Sequence, residues 1–414
     1  MSVNRLFSLA LGLGLAVSVP AWAEGGTASS SRHPTYNMLG RDASAVASPL
    51  NPNFVVSEEA HMKEGGFWRS NYINENLVGL AVADIDRDGQ NEVVYAGEKN
   101  VWATRFNGAS LTPLATYSLP AGQRIASVDV LDLDGDDRME VICSAQDEKG
   151  APISFILKFD GSALTPLAQR LPWYLRVVSS GESRFLAGQK AATDGSRVYT
   201  GAVHRLSLKG SGLTSEGTVG LPEYVDLFNF IQGRLGSAGS LTAAIRFPSE
   251  HIFLYESRNR AWESREEYGG TMTYLAPQNN REASDRRREY LPARLLISDI
   301  DGDGQNELIV AKNDRGGVPF MSNQRSFTSG VIQAFKYQNL SLTPFFRTRT
   351  LPGAIADIQL ADFRNNGTLS LLAAVVTQPK SGMLSEAMSL IVAYDLSGPA
   401  AAPPPQAKPD KGGQ

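Results

Sequence analysis

The sequence predicts an all-β protein built from about six copies of a unit of four short strands. Two observations lead to this prediction. An acidic turn followed by an apolar run recurs along the chain, and its first two copies begin 132 − 84 = 48 residues apart. After the apolar run come an alternating strand, a turn, and a further strand that in three copies opens with Leu-Thr-Pro. Four strands in a unit of this length are typical of one blade of a β-propeller.

The units follow one another between residues 67 and 398, which we assign to the propeller. They begin near six positions: Leu77, Ile125, Trp173, Tyr224, Leu291 and Ala354. Asn107-Gly108 and Asp160-Gly161 predict tight hairpin turns before the last strand of the first two units, because these residue pairs accept the backbone conformation of such turns. The stretch 173–270 is more divergent, and seven blades are the alternative if it contains another unit.

The two ends of the repeat region complement each other. The segment from Phe67 to Ile73 is similar to the last strand of a complete unit, whereas the unit that begins at Ala354 stops after its third strand, before Gly398. An N-terminal strand that completes the last blade would close the ring and leave no sheet edge exposed. An open β-solenoid is the alternative fold, but it does not explain why the terminal unit is divided.

The N-terminus has the features of a cleaved export signal. Arg5 precedes an apolar segment from Leu6 to Val19, and Ala21-Trp22-Ala23 fits the rule for cleavage sites. We expect residues 1–23 to be removed and the mature protein to be periplasmic or secreted, without a transmembrane segment. A buried N-terminal strand or helix is the alternative. Residues 24–66 are predicted to be a partly disordered extension, and the Pro- and Ala-rich residues 399–414 a disordered tail.

The composition argues against general nucleic-acid binding and against an internal disulfide. A net charge of −4 and a pI near 5.7 give the chain no general affinity for nucleic acid. Cys143 is the single cysteine, so no internal disulfide can form. Its apolar neighbours predict a buried thiol.

Three acidic turns have the spacing of a metal-binding loop. Carboxylates stand at the first, third, fifth and ninth positions, and a backbone carbonyl at the seventh can complete a cage of oxygen ligands, which suits Ca²⁺ better than Mg²⁺, zinc or copper. A glutamate at the ninth position and a following strand exclude an EF-hand. Aspartate-rich turns without metal are the alternative. The carboxylates are Asp84, Asp86, Asp88, Glu92, Asp132, Asp134, Asp136, Glu140, Asp299, Asp301, Asp303 and Glu307.

With these turns the chain resembles the FG-GAP or VCBS repeat family, the integrin-α-like calcium-binding propellers. The resemblance implies up to three structural Ca²⁺ ions, each held by the acidic side chains of one turn and by one backbone carbonyl, that of Gln90, Arg138 or Gln305. Asp137 replaces the sixth-position glycine in the second turn, and we expect it to strain or reshape that turn. A related turn from Asp362 to Ser370 has too few carboxylates and is predicted to hold no ion.

The sequence contains no recognisable catalytic motif, such as a nucleophile elbow, a phosphate-binding glycine loop or a zinc-binding histidine pair. We therefore expect a non-catalytic binding module whose partner is a protein or a carbohydrate at the cell envelope. The alternative is a propeller enzyme, a polysaccharide lyase or hydrolase, with its active site at the centre of the ring.

Long insertions are expected on the face of the ring opposite the acidic turns, where they would bind the partner. They carry seven candidate contact residues: Arg286, Arg287, Arg288, Arg315, Phe320, Arg325 and Phe327. Arginine and aromatic residues are enriched at protein interfaces. The alternative is that these insertions are surface loops without a partner.

Overall fold

The computed structural model describes residues 66–181, 183–236, 239–279, 288–316, 325–379 and 386–396. The predicted signal peptide, residues 24–65 of the predicted extension, and the predicted tail lie outside these ranges, as do Arg286, Arg287 and Phe320. Within them the regular secondary structure consists of strands, which confirms the prediction of an all-β protein. The same residues contain no helix with the length and apolar character needed to cross a bilayer.

The first strand, β1 (Phe67–Arg69), belongs to the last sheet of the chain. The next eight strands form two separate antiparallel sheets of four, each in chain order. The first sheet consists of β2 (Leu77–Ala83), β3 (Glu92–Gly97), β4 (Asn100–Phe106) and β5 (Leu111–Ser118). The second consists of β6 (Gln123–Leu131), β7 (Glu140–Asp147), β8 (Ser154–Phe159) and β9 (Leu164–Leu171).

The divergent stretch forms one eight-stranded sheet. Its first half consists of β10 (Tyr174–Ser180), β11 (Ser183–Ala191), β12 (Tyr199–Lys209) and β13 (Gly212–Thr218). Its second half consists of β14 (Phe230–Arg234), β15 (Ser240–Arg246), β16 (His251–Glu256) and β17 (Asn259–Glu267). Each half is antiparallel, and a single parallel pairing, between Ser180 and Gln232, joins them. A two-stranded sheet follows, made of β18 (Tyr274–Leu275) and β19 (Glu289–Tyr290).

Two further sheets follow within the described part of the chain. One consists of β20 (Leu296–Ser298), β21 (Glu307–Arg315), β22 (Phe327–Gln338), β23 (Ser341–Arg347) and the short β24 (Leu351–Pro352), which pairs with β22. The other consists of β25 (Ala354–Ala361), β26 (Ser370–Gln378), β27 (Met388–Asp395) and β1. β1 runs antiparallel to β27, with Phe67 opposite Tyr394. The first strand of the described residues therefore pairs with their last strand.

The hydrophobic core lies between the groups of four strands. Six clusters of buried apolar side chains among the described residues draw mainly on consecutive groups. Val94 and Val141, for example, belong to one cluster that joins the first two groups. Another contains Leu80 of the first group and Phe363, which follows β25 in the last. Because the central strands are buried on both faces, they are continuous apolar runs, and Cys143 is buried in one of them.

Candidate functional site

Each of the three acidic turns connects the first two strands of a group. In the first turn, the Asp84 carboxylate accepts hydrogen bonds from the backbone amides of Arg87 (2.6 Å) and Gly89 (2.8 Å). Asp299 in the third turn accepts one from the equivalent glycine, Gly304 (2.8 Å). The first-position aspartate thus folds the turn, because it satisfies amides that the turn would otherwise leave without partners.

The second turn keeps the same shape although Asp137 replaces its glycine. The Asp137 amide donates to the Asp132 carboxylate at 3.1 Å, as the glycine amides do in the other two turns. The φ angle of Asp137 is 64°, in the left-handed region where Gly89 and Gly304 lie at 83° and 84°. Aspartate enters this region more readily than most residues do. The sequence difference is therefore absorbed as backbone strain at one residue, and the turn is not reshaped.

The glutamate at the ninth position of each turn is fully buried at the start of the second strand. One oxygen of Glu92, Glu140 and Glu307 accepts the backbone amide of the second turn residue, at 3.0, 2.8 and 3.1 Å. Burial raises the pKa of Glu92 and Glu307 to about 7, against the lowering effect of these hydrogen bonds and of nearby basic groups. A buried carboxylate needs a counter-charge or hydrogen-bond donors close by.

A basic side chain from the third strand of the group supplies this counter-charge. Arg105 of β4 forms ion pairs with Asp86 (3.2 Å), Asp88 (2.7 Å) and Glu92. The equivalent residues are lysines in the other two groups: Lys158 lies 3.3 Å from Asp134 and 2.6 Å from Asp136, and Lys336 lies 2.7 Å from Asp301 and 2.5 Å from Asp303. Sequence reasoning missed these three residues. The available signal was a basic residue directly before an aromatic one, as in Arg105-Phe106.

The carboxylates of the turns are close enough together to hold a cation. Ligand oxygens of three acidic residues in each turn lie within 4.8 Å of one another. Such a donor set by itself suits calcium. The cation beside these oxygens is, however, the side chain of Arg105, Lys158 or Lys336. With that side chain in place, the charge of the carboxylates is already compensated. The turns then do not fit a calcium ion in addition to the basic group.

The residues predicted to offer backbone carbonyls stand at the seventh position of the turns. The backbone amides of Gln90, Arg138 and Gln305 donate to the fifth-position aspartates at 2.9, 2.9 and 2.8 Å. One oxygen of each of these aspartates is therefore engaged with the backbone, and the other faces the basic side chain.

A cavity of about 510 Å³ opens at the strand ends opposite the acidic turns. Leu77 and Val78 line it at the beginning of β2, Ala354 and Ala356 line it at the beginning of β25, and Val376 lines it near the end of β26. The acidic turns follow the other ends of β2 and its equivalents. The cavity therefore lies on the opposite face from the turns.

Tyrosine rings and arginine side chains form one wall of the cavity. The rings of Tyr274 and Tyr290 lie 5.7 Å apart, between centroids. The guanidinium group of Arg288 lies 4.2 Å from the centre of the Tyr274 ring, and that of Arg325 lies 4.0 Å from the centre of the Tyr290 ring. Arg124 lies 3.9 Å from the centre of the same Tyr274 ring, so guanidinium groups cover ring faces of both tyrosines and the wall combines aromatic and charged groups.

Two of the residues predicted to contact a partner, Arg288 and Arg325, line this cavity. Arg325 also forms an ion pair with the buried carboxylate of Glu250, and Arg315 binds the same carboxylate at 2.8 Å. Phe327 is the first residue of β22, and it is buried, with only 8% of its surface exposed. The cavity therefore brings together two of the predicted residues, while Arg315 lies at Glu250 and Phe327 in the core.

Comparison with known proteins gives one family match. A family model described as an FG-GAP-like repeat matches residues 84–143, which contain the first two acidic turns. A search of curated proteins finds no match. Among solved structures the chain is similar to one titled "Structure of Dos1 propeller", at 9% identity and a TM-score of 0.30 over 78% of this chain and 68% of that one. It is also similar to a glucose dehydrogenase, at 10% identity and a TM-score of 0.43 over 80% of this chain and 99% of that one.

Neither structural likeness is strong enough to carry an argument about function. The match over residues 84–143 covers a recurring turn and the strands beside it, and the same turn and strands recur in the third and last groups. Antiparallel groups of four strands that pack on one another are the architecture of a propeller. The chain is a β-propeller that carries an FG-GAP-like repeat.

Proposed function

We propose that the protein is an exported binding module, built as a six-bladed propeller, whose ligand enters the cavity opposite the acidic turns. The observation that carries this proposal is the cavity itself. Its volume of about 510 Å³ lies within the range of ligand pockets. Its walls combine apolar strand ends with a few polar groups, which is the usual composition of such sites.

The strand order supports six blades. If the halves of the eight-stranded sheet are counted separately, the first strands begin at Leu77, Gln123, Tyr174, Phe230, Leu296 and Ala354. The fourth and fifth begin later than the sequence predicted, because residues 222–229 and 291–295 are turns and extended connections. Consecutive groups share apolar clusters, the last group shares one with the first, and β1 supplies the last group's fourth strand. A closed ring requires these contacts.

Arg288, Arg325 and one carboxylate, that of Glu98, line the cavity, and we propose that its ligand carries a negative charge. The guanidinium group of Arg288 is suited to bind a carboxylate or another oxyanion, whereas Arg325 already pairs with Glu250. Tyr274 and Tyr290 add aromatic rings to the same wall, each with a guanidinium group over one face. An acidic oligosaccharide at the cell envelope carries anionic groups that arginine can bind and sugar rings that can pack on aromatic side chains. We propose it as the ligand class. A protein with an acidic segment is the alternative.

Calorimetric titration with acidic and neutral oligosaccharides of equal length tests this proposal. Arg288→Gln should weaken binding of the acidic ligand about tenfold, or about 1.4 kcal/mol, because one charged donor is lost. Arg260→Gln is the matched control, since Arg260 is exposed on β17, away from the cavity lining. Equal binding of acidic and neutral ligands, or an unchanged affinity in Arg288→Gln, would contradict the proposal. Shortening of the oligosaccharide during the titration would support the enzyme alternative.

Export is a proposal that rests on the sequence alone. Residues 1–23 have the pattern of a signal peptide, so the mass of the protein from the exported fraction should be that of a chain beginning at Glu24. A retained Met1 would contradict export by this route. Calcium is not part of this proposal: the convergence of carboxylates argues in its favour, but the basic side chains among them argue against it.

A further inference from the structure

The three basic residues that enter the acidic turns occupy one position of the repeat. Val93 pairs with Thr104 across the sheet, so Glu92 lies beside Arg105. In the same way, Val141 pairs with Leu157 and Leu308 pairs with Phe335 in the other two groups. In all three groups the basic residue therefore stands opposite the ninth-position glutamate.

The related turn in the last group has the same arrangement with its charges exchanged. Ser370 stands where the other turns have glutamate, and it pairs in register with Asp395, which stands where the others have the basic residue. Arg364 replaces the third-position aspartate, and its Nε lies 3.3 Å from Asp395 Oδ1. The Ser370 hydroxyl donates to the same oxygen at 2.8 Å. In all four groups the third turn position and the facing strand position thus carry opposite charges.

This last turn keeps the shape of the others without a calcium-binding donor set. Asp362 accepts hydrogen bonds from the backbone amides of Asn366 (3.2 Å) and Gly367 (2.6 Å), as the first-position aspartates do elsewhere. The φ angle of Gly367 is 81°, close to that of Gly89. Because Arg364, Asn366 and Ser370 replace three carboxylates, an ion pair is sufficient to close a turn of this shape.

In the first turn, every carboxylate oxygen has a partner within the chain. Asp84 accepts backbone amides with both oxygens. Asp86, Asp88 and Glu92 each accept a backbone amide with one oxygen and face Arg105 with the other. Calcium could enter this turn only if Arg105 left it.

The lysine turns differ from the arginine turn in one detail. The Oε1 atoms of Glu140 and Glu307 are buried and accept no hydrogen bond among the described residues. They lie 3.7 and 3.9 Å from the Nζ atoms of Lys158 and Lys336, so the ammonium group compensates their charge without a direct hydrogen bond. If the lysine were removed, these oxygens would be available to a metal ion.

We propose that Arg105, Lys158 and Lys336 take the place of structural calcium ions, so that the acidic turns of this protein close on an internal cation. Carboxylates this close together repel one another unless a cation stands among them. A basic side chain fixed on the neighbouring strand meets this need whenever the sheet forms. This proposal does not depend on the cavity or on its ligand.

Thermal unfolding in the presence of calcium or of a chelator tests the proposal. The wild-type melting temperature should be the same in both. Lys336→Met should lower it by several degrees in chelator, and calcium should restore at least half of that loss, because the ion can then bind the freed oxygens. Lys312→Met is the matched control: Lys312 also forms an ion pair, with Glu266 at 2.8 Å, and its side chain is 27% exposed against 21% for Lys336. It should show neither effect.

A wild-type melting temperature that rises with calcium would overturn the proposal. The proposal would also be overturned if Lys336→Met had the same melting temperature as Lys312→Met, or if calcium did not raise the melting temperature of Lys336→Met. If Lys336→Met does not fold, the reversed turn provides a second test. Arg364→Asp and Asp395→Lys should each lower the melting temperature, and the double variant should recover most of the loss because it restores an ion pair. If the losses in the double variant were additive, the ion pair between positions 364 and 395 would not stabilise the turn.

Discussion

Arg294 lies in the connection before β20, at a point where three groups of strands meet. Its guanidinium group binds both oxygens of Asp357 in the last group, at 3.1 and 2.9 Å, and lies 2.7 Å from Asp129 in the second. It also donates to the backbone carbonyls of Leu80 (3.4 Å) and Val128 (3.2 Å). Burial alone would lower the pKa of Arg294, but the two carboxylates raise it, so the side chain stays charged.

Arg294→Met should destabilise the protein strongly. The substitution leaves Asp357 buried without its close counter-charge and Asp129 with only Arg176, whose Nε lies 3.7 Å away. Breaking a buried pair in this way costs about 3–5 kcal/mol. Urea unfolding of both proteins measures the difference. The control is Arg260→Met, which removes an exposed ion pair with Glu263 and should cost less than about 1 kcal/mol. Equal losses in the two variants would show that Arg294 contributes only as a surface charge does.

At the scale of the turn, the left-handed residue before the seventh position controls the backbone. Gly304 has a φ of 84°, and no atom lies within 4 Å of the position of an added Cβ. Gly304→Ala should therefore cost about 1–2 kcal/mol from backbone strain alone. Gly304→Asp should cost less, because the second turn already accommodates aspartate at this position. Gly220→Ala is the control, since Gly220 has equal space and no left-handed φ.

Chemical denaturation of the three glycine variants measures these differences. A loss of stability in Gly304→Ala no larger than that in Gly220→Ala would mean that the turn adopts another backbone conformation when glycine is replaced.

The sequence predicts an element correctly when the residues that determine it are neighbours in the chain. Asn107-Gly108 forms the expected turn: the Asn107 side chain accepts the amide of Ser110 at 2.9 Å, and Gly108 has a φ of 95°. The acidic turns were recognisable for the same reason. The place of Arg105 depends on the register between two strands, and that of Arg294 depends on how three groups pack. Neither relation is contained in one stretch of sequence. The basic–aromatic pair Arg105-Phe106 marks a candidate residue, but it does not show which strand position that residue faces.

At the scale of the whole molecule, Trp68 of β1 connects the first and last groups. Its indole nitrogen donates to the Ala109 carbonyl at 2.8 Å, and its ring lies 5.5 Å from that of Phe106 in the first group, between centroids. On its other side it lies 5.2 Å from the ring of Phe363, which follows β25. If an N-terminal strand closes the propeller, the contacts at this junction should contribute most of the stability gained by closure.

Trp68→Ala should therefore weaken the junction from both sides. We expect a loss of about 2 kcal/mol or more, below the 3–5 kcal/mol typical of a fully buried aromatic residue, because Trp68 is partly buried. Hydrogen exchange should become faster in β27 and in β4, which are far apart in the sequence. Trp262→Ala on β17, another partly buried tryptophan, should accelerate exchange only within its own group and its neighbour. If Trp68→Ala left exchange in β27 unchanged, the N-terminal strand would not be what holds the two ends of the chain together.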